Sequence, residues 1–152
     1  MATANFEELA NGLCELIGEA PPALPEEGLR GFSVTLNDVE VNIFHDPERN
    51  QDCAFVVTTF GDLPQESRVQ AMQALMEANH RMSISGGGVF SQNHESGRIL
   101  FQYAFPFEDA ATALDLYQGM QAVAEYVHAW RKDHLLAVAR DPATSMMPGM
   151  RV

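Results

Sequence analysis

The segment spanning residues 65–82 constrains the fold most, because its apolar pattern is that of a helix covered on two sides. A surface helix needs one apolar stripe, about 100° wide, and this segment has a flank of small residues beside its stripe. The stripe consists of Val69, Met72, Leu75, Met76 and Met82, and the flank of Ala71, Ala74 and Ala78. A sheet can cover one of these surfaces, so a second copy of the chain or another part of the same monomer covers the other.

The predicted strands lie on both sides of this helix and are residues 32–36, 39–43, 52–60, 89–90 and 98–105. The first two alternate apolar and polar side chains around Asn37 and Asp38, which predicts a hairpin with one solvent-facing side. The third contains an uninterrupted apolar run, which is typical of a strand covered on both faces. Glycines 86–88 precede the fourth strand and allow the chain to turn back from the helix.

Two further helices are predicted near the ends of the chain. The first spans residues 5–17, and Asn5 is in position to cap it. The last begins near Glu108 and Asp109, whose charges suit a helix N-terminus, and continues to about Leu136. The elements therefore follow the order helix, three strands, helix, two strands, helix.

Composition limits the classes of function. A chain of 152 residues, 46% hydrophobic and 20% charged, fits one globular domain over residues 1–140, with residues 141–152 as a flexible tail. The net charge of −12 would repel phosphate backbones and anionic headgroups, so we expect no nucleic acid partner and no membrane-surface partner. No signal peptide and no apolar run of about 18 residues is present, so we expect a cytoplasmic protein without membrane insertion.

Residues used in catalysis or metal binding do not occur at productive spacings. Cys14 and Cys53 each lie in an apolar run, far apart in sequence, so two buried free thiols are expected. His128 and His134 lie on different faces of the last predicted helix. His45 lies beside an acidic turn whose charges are expected to be solvated. We therefore predict no catalytic residue, no metal site and no cofactor, and we expect that the protein is not an enzyme.

Four short motifs occur in a fixed order through the centre of the chain. They are Gly61-Asp62-Leu63-Pro64, Leu75-Met76-Glu77-Ala78-Asn79, Gly87-Gly88-Val89-Phe90 and Gly97-Arg98-Ile99-Leu100. In a small acidic chain with this element order, the set resembles the class I type III secretion chaperones, the Tir chaperone (CesT-like) family. The resemblance covers about residues 3 to 136. It implies an α+β fold, with three helices and an antiparallel twisted sheet of about five strands, assembled as a homodimer.

The resemblance also implies a function in protein secretion. Such a chaperone, without ATP or metal, would hold the N-terminal chaperone-binding region of a secreted effector in a soluble, extended form. The ATPase of the secretion apparatus is a further implied partner. The alternative is a regulatory protein of the same fold that sequesters a transcriptional regulator or an antiactivator, and the sequence leaves both open.

Two groups of contact residues follow from the resemblance. The dimer interface would use the central helix and the strand after it: Val69, Met72, Leu75, Met76, Asn79, Met82, Val89 and Phe90. The effector-binding surface would use the first helix and the N-terminal strands: Phe6, Leu9, Leu13, Phe32, Val34, Leu36, Val41, Ile43 and Phe44. Alternation requires that some of the second group belong to the core, and the sequence does not say which.

Overall fold

In the part of the chain that the structure describes, three helices and five strands follow one another in the predicted order. The computed structural model describes residues 2–85, 87–107 and 111–134. The elements are α1 (Ala2–Ile17), β1 (Arg30–Leu36), β2 (Val39–His45), β3 (Cys53–Gly61), α2 (Arg68–Ser85), β4 (Val89–Gln92), β5 (Ile99–Pro106) and α3 (Ala113–Asp133). The predicted α+β class and element order are confirmed.

The strands form one antiparallel sheet in the order β1-β2-β3-β5-β4. The β1–β2 turn consists of Asn37 and Asp38, whose φ angles of 51° and 63° are both left-handed. Two such residues form the type of tight turn that matches the twist of the flanking strands, so the predicted hairpin closes here. β5 lies between β3 and β4, which leaves β1 and β4 as the two edges of the sheet.

All three helices pack against the same face of the sheet. On α1, the Phe6 ring lies 6.1 Å from the Phe32 ring and 5.1 Å from the His45 ring. On α3, the Trp130 ring lies 5.8 Å from that of Phe60 in β3. On α2, Leu75 lines a pocket together with β4 and β5 side chains of this face. The opposite face, which we call the open face, is not covered by any helix of the described residues.

The ends of the helices differ from the predictions in several places. α1 begins at Ala2, so Asn5 lies inside the helix and the prediction that it caps the helix was wrong. Alanine is the strongest helix former, which is consistent with a helix that includes Ala2 and Ala4. α2 begins at Arg68, three residues later than predicted, and ends three residues later, at Ser85.

The predicted start of the last helix near Glu108 was also wrong. α3 begins at Ala113, because Thr112 is its N-cap and forms a capping box with Asp115. It ends at Asp133, short of the predicted Leu136, because His134 adopts a left-handed conformation with φ 58°. Residues 108–110 and 135–152, which include the predicted flexible tail, lie outside the described residues.

The Thr112 cap makes a testable contribution to stability. Its hydroxyl oxygen accepts a hydrogen bond from the Asp115 backbone N–H over 3.2 Å, and the Asp115 carboxylate accepts one from the Thr112 N–H over 3.0 Å. We expect Thr112→Ala to lower the free energy of unfolding by about 1 kcal/mol in urea titrations. Thr112→Ser, which keeps the hydroxyl, should stay close to the parent protein, and equal losses in both variants would contradict this account.

Candidate binding surfaces

A row of apolar side chains lies on the outward side of α2. The side chains of Val69 and Met76 are 66% and 67% exposed, and Met72 between them is half-buried. These three residues, which we call the α2 stripe, border a shallow groove flanked by Arg68, Gln73 and Glu77. Large apolar side chains with this much exposure on one helix face are typical of a surface that binds another protein.

A small pocket lies between α2 and the β4–β5 hairpin. Its volume is about 140 Å³, and its lining is almost entirely apolar. The lining residues are Met72, Leu75, Met76, Asn79, Phe90, Ser91, Gln92 and Ile99. Because Met72 and Met76 belong to both this pocket and the α2 stripe, the two features form one continuous surface.

Asn79 links α2 to the edge of the sheet. Its Nδ2 donates to the Phe90 carbonyl oxygen over 3.0 Å, and its Oδ1 accepts from the Phe90 N–H over 2.6 Å. One side-chain amide therefore satisfies both backbone groups of a residue in the edge strand β4. A partly buried amide with two such bonds holds α2 in a fixed position against β4.

The open face of the sheet is apolar at its centre and polar at its margin. Strand register places Phe44 beside Phe55, and Leu100 beside Thr59, on this face. The half-buried apolar residues of the face are Phe44, Phe55, Val57 and Leu100, and Val89 is 48% exposed. Towards β1, the exposed side chains are polar: Ser33, Thr35 and Glu40. A partner that lies across this face would meet an apolar centre beside a polar margin that includes one carboxylate, Glu40.

The outer edge of β1 directs a row of backbone groups away from the rest of the sheet. In a two-residue hairpin the residues that flank the turn, here Leu36 and Val39, exchange hydrogen bonds, and bonded pairs then alternate along the strands. By this alternation the N–H and C=O groups of Gly31, Ser33 and Thr35 point away from β2. Among the residues that the structure describes, none forms a backbone bond to these outward groups outside the sheet.

Two α3 side chains form hydrogen bonds at the turn of the β1–β2 hairpin and at the end of β3. Arg131 Nε donates to the Phe60 carbonyl oxygen over 2.8 Å, and its other nitrogens reach the carbonyl oxygens of Asp38 and Thr59 at 3.3 and 3.4 Å. His128 Nε2 donates to the Asn37 carbonyl oxygen over 2.6 Å. These bonds fix the hairpin to α3, so the edge strand β1 is presented on a rigid support.

Cys14, Cys53 and His45 are buried side chains of the types that catalytic and metal sites use. Within the described ranges, no group of three or more His, Cys, Asp or Glu residues could hold a metal ion. Burial raises the pKa of the Cys14 thiol, and the nearby Glu19 carboxylate raises it further; Cys53 is affected in the same way by burial and Asp52. His45 is fully buried against the rings of Phe6 and Phe107, rather than lying in the solvated turn.

A comparison with known protein families shows to which family the chain belongs. A sequence model of the Tir chaperone protein (CesT) family matches residues 6–131. The chain belongs to this family. The resemblance inferred from the four motifs is therefore confirmed, and the matched range contains all of the predicted contact residues. A comparison with curated proteins gave no match.

Chains in two solved complexes have a fold similar to that of this CesT family member. A chain in the crystal structure of the ExsC–ExsE complex aligns with a TM-score of 0.68 at 15% identity, over 89% of this chain and 97% of that chain. A chain in the HopA1–SchA chaperone–effector complex aligns with a TM-score of 0.63 at 15% identity, over 87% of this chain and 97% of that chain. At this level of identity, the likeness establishes a shared fold.

The predicted dimer residues of this CesT family member divide into two groups. Five are exposed or half-buried and can contact a second copy: Val69, Met72, Met76, Asn79 and Val89. Three are buried in the chain's own core: Leu75, Met82 and Phe90. Leu75 and Met82 lie on the inner side of α2, and Phe90 lies on the helix-covered face of β4. Within one chain they support that surface, and their contact with a second copy stays a prediction.

Most of the predicted effector-binding residues lie in the core. Seven are at most 7% exposed: Phe6, Leu9, Leu13, Val34, Leu36, Val41 and Ile43. Three of them lie on the buried side of α1 and four on the helix-covered face of β1 and β2, and their contact with an effector stays a prediction. Phe32 is half-buried beside Phe6, and Phe44 is half-buried on the open face. For these two residues, contact with an effector stays a prediction.

Sequence reasoning missed the centre of the open face. Phe55 and Val57 belong to the apolar run that predicted a strand covered on both faces, yet they are only half-buried. Leu100 lies in β5. The sequence predicts that side chains alternate along this strand, but not which of them face the helices. Only the register of β2, β3 and β5 brings these residues together, and a single sequence does not specify that register.

Proposed function

We propose that this protein is a type III secretion chaperone. It acts as a homodimer that binds the N-terminal chaperone-binding region of a secreted effector and keeps that region soluble and extended. Membership of the CesT family supports this, as does the shared fold with a chain of a chaperone–effector complex. In this proposal the protein works in the cytoplasm and is not an enzyme, and the ATPase of the secretion apparatus is a further partner. No helix of the described ranges is long and apolar enough to cross a membrane.

The observation that carries the proposal is apolar surface left open on a strongly acidic chain. The α2 stripe and the centre of the open face are both partly exposed, while the net charge of −12 favours solubility. Two separate surfaces suit two different contacts. We assign the α2 stripe to the second copy of the chain, and the open face with the β1 edge to the effector segment.

The energetic cost of ordering a client also favours an extended surface. Fixing a disordered backbone costs about 1–2 kcal/mol per residue, and burial of apolar area returns roughly 25 cal/mol per Å². Each ordered residue therefore needs roughly 40–80 Å² of buried apolar area. A pocket of about 140 Å³ cannot supply this for a long segment. A homodimer doubles the surface available to one client.

Co-expression with N-terminal fragments of candidate effectors tests the proposal. We expect at least one fragment to be soluble only with this protein and to co-purify with it as an extended, protease-sensitive chain. Phe55→Glu, at the centre of the open face, should lower the yield of the complex at least tenfold, because it places a charge against apolar client residues. The control Asn11→Glu adds the same charge to an exposed position on α1 and should have no effect. Capture of a folded regulatory protein, with no effector fragment solubilised, would contradict the proposal.

A further inference from the structure

Two aromatic rings lie at the centre of the open face. Phe44 and Phe55, which we call the aromatic floor, are neighbours in the strand register and are both half-buried. The Phe44 ring lies over Gly31, where a β-carbon would come within 2.6 Å of the ring. Glycine at this position therefore lets the ring lie close to β1. Exposed apolar surface of this kind promotes aggregation, so a cover would protect the protein while no client is bound.

α3 ends at the margin of the same sheet. Arg131, in its last turn, donates to the Phe60 carbonyl oxygen at the end of β3 and to the Asp38 carbonyl oxygen in the β1–β2 turn. His134 then ends the helix in a left-handed conformation, with φ 58°. The chain that follows, residues 135–152, therefore starts at this margin, from which it can pass to the open face.

The sequence beyond α3 has a composition that suits contact with aromatic rings. Residues 141–152, which we call the methionine segment, contain three of the eight methionines of the chain: Met146, Met147 and Met150. Methionine side chains are unbranched, adapt to irregular apolar surfaces and make favourable contacts between their sulfur and aromatic rings. Pro142 and Pro148 disfavour a helix in this part of the sequence and favour an extended chain.

Charge also favours contact between this part of the chain and its own domain. Residues 135–152 contain two bases, Arg140 and Arg151, and one acid. Residues 1–134 contain twenty acids and seven bases. Glu40 is exposed on the open face, at the margin towards β1. A basic segment that leaves α3 is attracted to this acidic domain, whereas an acidic segment would be repelled.

We propose that the methionine segment covers the aromatic floor of its own chain and that the client displaces it. This inference rests on the proposed function and deepens it, because it assigns a regulation to the surface that binds the effector segment. The α2 stripe is also apolar and exposed, but in the proposed dimer it is covered by the second copy. The open face is the surface that stays uncovered in the dimer until a client binds.

The chain is long enough to make this contact. Phe55 lies five residues before Phe60 in β3, a distance of about 17 Å along the strand. Passage from the helix layer to the open face adds about 10 Å, the usual spacing of packed layers. The chain from His134 to Met146 spans at most about 40 Å when extended, so Met146 can reach Phe55. A short linker also keeps the segment at an effective concentration in the millimolar range, at which weak contacts suffice.

Methionine-methyl NMR of the full-length protein tests the contact. Phe55→Leu removes one ring of the aromatic floor, and we expect the methyl resonances of Met146 and Met147 to shift towards those of free methionine. The matched control is Phe105→Leu, which removes a ring from the helix-covered face, opposite Ala54. It should leave both resonances unchanged. Equal shifts in both variants, or free-methionine resonances in the parent protein, would overturn the inference.

Dye binding measures how well the face is covered, and it does not depend on a change in the sheet. The test variant replaces all three segment methionines by serine: Met146→Ser, Met147→Ser and Met150→Ser. We expect the fluorescence of the dye ANS, which binds exposed apolar surface, to rise about threefold or more, because the aromatic floor becomes accessible. The control Thr144→Ala with Ser145→Ala changes the same segment, keeps its methionines and should match the parent. An unchanged signal in the test variant would contradict the proposed cover.

An effector fragment that co-purifies with the protein measures the regulation. If the face is accessible in about a tenth of the parent chains, the triple serine variant should bind that fragment about tenfold more tightly. Equal affinities would show that the segment and the client do not compete, and would overturn the regulation.

These results can be separated from the test of function. If a fragment is solubilised but the segment methyls do not respond to Phe55→Leu, the chaperone function stands and the proposed cover fails. If the methyls respond but no fragment is solubilised, the cover stands and the function fails.

Discussion

Met72→Glu is expected to convert the protein from a dimer to a monomer. Met72 lies at the centre of the α2 stripe and also lines the pocket beside β4. In a dimer formed through this stripe, two new carboxylates would be buried close to one another and without partners. Burying an unpaired charge costs several kcal/mol, so the dissociation constant should rise roughly 100-fold or more.

Light scattering and sedimentation at several concentrations measure this change. The matched control is Gln70→Glu, which adds the same charge to an exposed position on α2 away from the stripe. The control should remain dimeric with an unchanged dissociation constant. Since Met72 is half-buried in the monomer, circular dichroism should show that Met72→Glu keeps its helical content. A folded Met72→Glu variant that remains dimeric would contradict the assignment of the α2 stripe to the dimer interface.

Phe60→Ala should cause a large loss of stability. Phe60 is fully buried, and its ring lies 5.0 Å from Phe90, 6.1 Å from Phe101 and 5.8 Å from Trp130. It therefore joins β3, β4, β5 and α3 in one aromatic cluster. Removing a buried phenylalanine ring costs about 3–5 kcal/mol, a large part of the roughly 5–15 kcal/mol that stabilises a typical domain.

Urea unfolding followed by tryptophan fluorescence measures this loss directly, because the single tryptophan, Trp130, touches the deleted ring. The control Leu114→Ala removes an apolar side chain that is 49% exposed, and it should change the free energy of unfolding by less than about 0.5 kcal/mol. If Phe60→Ala expresses poorly, Phe60→Leu gives a smaller loss in the same direction. A loss below about 1 kcal/mol for Phe60→Ala would mean that the cluster does not hold the sheet and α3 together.

The predicted elements agree with the structure where one local rule determines them. Asn37 and Asp38 close a hairpin because a two-residue turn between alternating strands requires left-handed residues. The helix boundaries agree less well, because several candidate caps occur close together. The last helix begins after Thr112 because the Thr112 hydroxyl and the Asp115 carboxylate satisfy each other's backbone groups.

The candidate surfaces could be predicted only in part. Met72 and Leu75 are both apolar and three residues apart on one helix, yet one borders the outward groove and the other is buried under it. Val34 and Phe44 were equal candidates in the N-terminal hairpin, and the structure places them on opposite faces of the sheet. Periodicity identifies which residues share a face, but not whether a helix or solvent covers that face.

The sequence by itself determined the order of the elements, the family and the acidic character of the chain. These depend on local pattern and composition, both of which can be read directly from the sequence. Only the tertiary structure decided that these helices cover the same face, that Asn79 occupies the β4 edge and that no described residue pairs with the outer edge of β1. Each of these depends on pairing between residues distant in the chain, and such pairing is set by the packing of the whole sheet rather than by any one segment.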